Sequence, residues 1–127
     1  MKINPIYLFT ARAAVLASMI LAGISSLSAT EEKTILVLVT GAAKMMNGKP
    51  TGLWLEEFAV PYKVFTDAGY RVEVVTPKGG AAPIDPRSKP KPDQAAAWKG
   101  AAQRLGETKA LAKVTAESFS AIFISGG

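Results

Sequence analysis

The sequence predicts an α/β domain built on a parallel sheet, and three observations lead to that expectation. Residues 34–40 (TILVLVT), 71–76 (RVEVVT) and 121–125 (AIFIS) are short runs rich in branched apolar residues. The first and last are apolar on both alternating faces, as strands covered on both sides must be. A stretch with helical spacing separates the first two runs. Each run is followed by glycine: Gly41, then Gly79 and Gly80, then Gly126 and Gly127.

The chain has 127 residues, enough for one domain. At its start, Lys2 and Arg12 flank a short segment, residues 13–24 (AAVLASMILAGI) are continuously apolar, and residues 25–30 are mostly small. This is the pattern of a secretory signal peptide, expected over residues 1–28, with the mature domain at 29–127 exported to the periplasm or secreted. The apolar run falls well short of the roughly 20 residues that span a bilayer, so no stable membrane anchor is expected after cleavage. Loss of Lys2 and Arg12 with the leader lowers the formal charge from +5 to +3, too little to argue for a nucleic-acid partner. Arg87, Lys89 and Lys91 alternate with Pro90 and Pro92 and have no aromatic between them, so they read as a stiff, solvated loop. The sequence has no cysteine and no histidine. A disulfide framework, a thiolate nucleophile and an imidazole base or ligand are therefore all excluded within these residues, and neither a metal nor a cofactor is expected.

In chain order, residues 34–40 form the first strand, and Gly41 opens a polar loop punctuated by glycine and proline. From residue 54 to 68 the apolar positions Trp54, Phe58, Pro61, Phe65 and Ala68 recur every three or four residues, with Val64 beside them. Pro61 has no N–H to give, so this helix should either begin near Glu57 or kink at the proline, and Gly69 should stop it. Residues 71–76 return as a strand, completing a βαβ unit with a right-handed crossover. Residues 77–92 are longer than the usual strand-to-helix connection, which suggests a substrate-side loop or a mobile flap. Residues 93–104 are alanine-rich and start with Asp93, predicting a second helix interrupted by Gly100. Residues 121–125 are the third strand. If all three strands run parallel, their glycine-bearing exits share one sheet edge, the edge where open α/β sheets bind ligands.

An ordered set of residues adds a resemblance. Thr51, Gly52, Trp54, Glu57 and Pro61 come first, then Phe65, Ala68, Gly69 and Val72, then Pro77, Gly79, Gly80, Pro83, Asp85, Pro86 and Ser88. Thr108, Leu111 and Val114 precede the run 121–124 and the glycine pair Gly126 and Gly127. In this order and spacing the chain resembles the amino-terminal half of the ThiJ/PfpI family, in the class I glutamine amidotransferase-like superfamily, and within it the chaperone and glyoxalase III branch. The resemblance implies a flavodoxin-like three-layer sandwich with a parallel sheet, incomplete in this chain. It also implies a cysteine on a strained elbow after the last glycine pair, a neighbouring histidine, and an acid from the first helix, a position matched by Glu57. Glu56 is assigned to solvent. Gly41, Trp54, Gly79, Gly80, Asp85, Gly126 and Gly127 are the expected substrate-side positions. The sequence departs from the family pattern at Val60, where the branch usually has histidine, and at Ser125, where proline is common.

A carboxylic acid placed in an apolar cleft at a helix start can keep its proton and offer it to a sulfur or a substrate oxygen. Two functions are expected from the resemblance. In one, the complete form is a cysteine-dependent enzyme acting on small reactive carbonyls, of the glyoxalase III or deglycase type, and this chain alone is inactive. In the other it is a non-catalytic, chaperone-like or binding member that uses a cleft around Trp54 and Phe58. A homodimer is compatible with either.

Overall fold

The computed structural model describes residues 33–126, so the leader expected over 1–28, the start of the mature domain and Gly127 lie outside the described residues. Four strands form one sheet: β1 (Thr34–Leu38), β2 (Arg71–Thr76), β3 (Lys109–Ala110) and β4 (Ala121–Ile124), in the order β3-β2-β1-β4. Every pairing is parallel. Thr34 stands opposite Arg71 and Leu38 opposite Val75, while on the other side Ile35 faces Ala121 and Leu38 faces Ile124. This is the α/β, flavodoxin-like arrangement that the sequence predicts. The three long strands were legible as apolar runs, whereas the two-residue β3 at the edge has no such signature and went unforeseen.

Helix α1 (Leu55–Asp67) joins β1 to β2, and α2 (Pro92–Arg104) follows the long connection. Because side chains alternate along a strand, Ile35, Val37 and Val39 share one sheet face, and Val72 and Val74 continue it. That face is buried in a single core with Leu55, Phe58 and Ala59 of α1, and Trp98, Ala101 and Leu105 of α2 and its cap. Phe65 of α1 meets Phe123 of β4 edge-on, ring centroids 5.5 Å apart.

The buried stripe of α1 is rotated from the expected one. It runs through Leu55, Phe58, Ala59, Tyr62 and Phe65, while Val64 is 58% exposed and Trp54 precedes the helix. The apolar residues of this segment outnumber the places in the core, so periodicity alone could not choose between Leu55 and Trp54. The helix starts at Leu55 rather than near Glu57, with Pro61 inside it, where the ring cannot supply an N–H to the Glu57 carbonyl. Gly100 does not interrupt α2.

The connection after β2 is pinned along its middle, at residues 82–85. Leu53 N–H donates to Pro83 O at 2.7 Å and Asp85 N–H to Leu53 O at 2.9 Å. Ala82 N–H donates to Leu105 O at 2.8 Å. No helix among the described residues is long and apolar enough to cross a membrane.

Candidate functional site

The chain leaves β1 on one side to build β2 and returns on the other side as β4. The carboxyl ends of β1 and β4 therefore diverge at a topological switch point, the place where such sheets bind ligands. A helix that follows a parallel strand begins at this same edge, which brings the first turn of α1 to it. Glu57, in that turn, is the predicted acid, and it is here that the structure places it. A Cβ built on Gly126 would lie 2.8 Å from Glu57 Oε2, so glycine allows the carboxylate to rest directly against the turn after β4. Ser125, one residue earlier, is buried and its hydroxyl has no hydrogen-bond partner. Its alternation puts it on the α1 side with Val39. In the sequence Ser125 stands out only as a departure from the family pattern, where proline is common, and nothing local marks its hydroxyl as buried. Glu57 itself is exposed, so the apolar cleft expected around it is not formed by the described residues.

Gly41 and Gly79 meet at a second place on the same edge, a cavity of about 350 Å³ lined also by Thr40, Thr76, Pro77 and Lys78. It lies beside β1 and β2, on the far side of β1 from Gly126. Its wall is fixed by a chain of hydrogen bonds whose direction follows from the donors available. Gly79 N–H donates to Thr76 Oγ1 at 2.9 Å, and the two threonine hydroxyls lie 3.0 Å apart. Thr108 Oγ1 donates to Gly80 O at 2.7 Å, so the Thr76 hydroxyl must be the donor to Thr108. Gly79 and Gly80 both have positive φ, near 80°, which L side chains rarely adopt. Gly80 turns the chain without lining the cavity.

Asp85, expected at a substrate-side position, turns its carboxylate inward to its own loop. Its side chain is almost fully buried and receives Arg87 Nε at 2.9 Å, Arg87 Nη2 at 2.7 Å and the Arg87 backbone N–H at 2.8 Å. Hydrogen bonding to Arg87 holds its pKa far below the ordinary carboxylate value, with burial opposing the shift. The pair raises the Arg87 pKa in turn. Asp85 is thus the lock of its loop, and the signal read as functional was one of turn chemistry.

Trp54 is separate again. It is 39% exposed and lines a cavity of about 230 Å³ with Glu56, Arg87, Lys89, Lys91 and Trp98, among others. Phe58 is 1% exposed, so the expected cleft between Trp54 and Phe58 does not exist: Phe58 belongs to the core. The predicted site residues therefore divide into the Glu57–Gly126 contact, the Gly41–Gly79 cavity, the Asp85 lock and the Trp54 cavity. Gly127 lies outside the described residues. No cluster of metal-ligating side chains is present among the described residues.

No protein-family model matches this chain, and no curated protein does. Several solved structures are similar to it, two of them as follows. Rapid Encystment Protein 24 KDa (REP24) of Francisella tularensis is 29% identical, with a TM-score of 0.63, the match covering 74% of this chain and 44% of that protein. The crystallographic structure of the protein APC35852 is 43% identical with a TM-score of 0.65, and here the match covers 75% of this chain and 42% of the other. The chain thus shares the fold of both proteins and spans less than half the length of either.

Proposed function

We propose that this chain provides the acid-bearing half of an exported ThiJ/PfpI-like domain whose complete form acts on small reactive carbonyls. In this reading a cysteine and a histidine encoded beyond Gly127 complete the site. The thiolate adds to the aldehyde carbon of a 2-oxoaldehyde, Glu57 exchanges a proton at the substrate oxygen, the hemithioacetal isomerises to a 2-hydroxy thioester, and water cleaves its carbon–sulfur bond to release the hydroxy acid and the thiol. The observation that carries the reading is the contact of the Glu57 carboxylate with the Gly126 turn at the switch point. An elbow built directly after that turn would start within reach of the carboxylate.

The test begins with the reading frame beyond codon 127. A frame that encodes an elbow cysteine and a histidine should yield a protein that turns over methylglyoxal. Glu57→Gln and Glu57→Asp should each lower kcat by at least about a hundredfold, the usual scale of general acid–base participation. The 127-residue chain, with neither thiol nor imidazole, should match the buffer blank. Turnover by the chain alone, or full activity in Glu57→Gln, would overturn the assignment.

A further inference from the structure

The three basic residues that look like a solvated loop in the sequence sit in a different setting in the fold. Trp54 arrives from the start of α1 and Trp98 from the second turn of α2, and together with Arg87, Lys89 and Lys91 they line one cavity of about 230 Å³. These are the only two tryptophans of the chain. Trp98 is anchored in the core at 9% exposure, while Trp54 presents a large accessible surface. The aromatic side chains missing between the charges in the sequence are thus supplied from two distant segments.

The wall is fixed rather than assembled from loose side chains. Asp85 holds the Arg87 guanidinium through two side-chain hydrogen bonds, leaving the Nη1 donors uncommitted. Ser88 Oγ accepts the Leu55 N–H at 2.9 Å, tying the basic loop to the start of α1. Gln94 Oε1 accepts the Lys91 N–H at 3.0 Å, tying the same loop to α2. Lys89 and Lys91 are exposed and make no ion pair among the described residues, whereas Asp85 already offsets Arg87. Among the described residues Glu56 is the only acidic group lining the cavity, so its charge balance is positive.

We propose that this cavity is a binding site for a small organic anion carried on a flat aromatic ring, an arene carboxylate or arene phosphate. The ring packs on the exposed Trp54 indole beside the accessible edge of Trp98, and the anion is received by Lys89, Lys91 and the free edge of Arg87. A ring without charge lacks the cationic partners, and an anion without a ring leaves Trp54 in water. The proposal uses no part of the Glu57 contact and stands or falls independently of the carbonyl reading.

Indole fluorescence of the full chain, excited where the probes do not absorb, reads the site directly because both reporters line it. Benzoate and phenyl phosphate should each change the emission saturably. Acetate, inorganic phosphate and benzyl alcohol should bind at least about fivefold more weakly, since each lacks one half of the recognition. The stronger of the two aromatic anions identifies the preferred head group. The double variant K89Q/K91Q should weaken binding about fivefold or more, and Glu56→Gln should tighten it about twofold, the scale of exposed charge interactions. Trp54→Phe should remove most of the signal change, with Trp98 still reporting the fold, and unchanged circular dichroism of the lysine variant excludes unfolding as the cause. Absence of saturation by both aromatic anions, equal binding of benzyl alcohol, or undiminished binding by K89Q/K91Q would each overturn the proposal.

Discussion

Gly52 and Gly126 are both crowded, yet the two contacts predict opposite outcomes. A Cβ on Gly52 would stand 2.5 Å from Pro83 O and 2.7 Å from Asp85 N, which are backbone atoms held in the pairing of Leu53 with the long connection. Nothing there can yield without breaking that pairing. Gly52→Ala should therefore cost at least about 2 kcal/mol, seen as a clear fall in the melting temperature. On Gly126 the obstructing atom is the end of the flexible Glu57 side chain. Gly126→Ala should change stability by less than about 0.5 kcal/mol while turning the Glu57 carboxylate away from the edge. Asp85 gives a pH signature at the same scale. Its pKa is depressed in the fold, so its stabilising effect is complete above about pH 4, where the unfolded carboxyl is also ionised. It is lost as the pH falls from there toward the depressed value. Hydrogen exchange at the Leu53 and Asp85 amides should be slow at pH 7 and 5 and relatively less protected below about pH 3. In Asp85→Asn the protection should be reduced at every pH.

At the scale of elements, the short β3 holds the edge of the sheet through Thr108 more than through its own ladder. Thr108 precedes β3, exchanges backbone hydrogen bonds with Gly80 and shares its hydroxyl with Thr76. Thr108→Val keeps the shape but leaves the buried Thr76 hydroxyl without its acceptor and removes one of the two donors to the Gly80 carbonyl, the Thr108 N–H remaining. A loss of about 1–3 kcal/mol is expected in urea unfolding. The double change Thr76→Val with Thr108→Val should cost less than the sum of the two singles, because both partners are then apolar. Strict additivity would show that the threonine pair is not the link between β2 and the glycine turn.

For the molecule as a whole, the decisive surface is β4. It pairs with β1 on one side and stands at the edge of the described sheet, with Ile122 56% and Ile124 69% exposed. An unpaired, apolar strand edge is a template for pairing with another chain. The chain should associate at micromolar concentration in sedimentation experiments, and Ile124→Lys should shift it toward monomer. A wild-type chain that stays monomeric under the same conditions would count against this. The sequence by itself determined the α/β class, the three long strands and the helix between the first two, while their parallel pairing is seen in the sheet. These follow from local apolar period and punctuation, which any segment carries in its own residues. It also marked Glu57, through the ordered motif rather than through periodicity. The tertiary structure alone decided which face of α1 is buried, because Leu55 and Trp54 compete for a core whose shape is set by β1, β2 and α2. It alone placed Glu57 against Gly126, turned Asp85 into a lock, and brought Trp54 and Trp98 to the basic loop. Each of these is a meeting of segments far apart in the chain, and the physical reason they were not legible is that proximity is fixed by strand order and helix packing, which no single segment encodes.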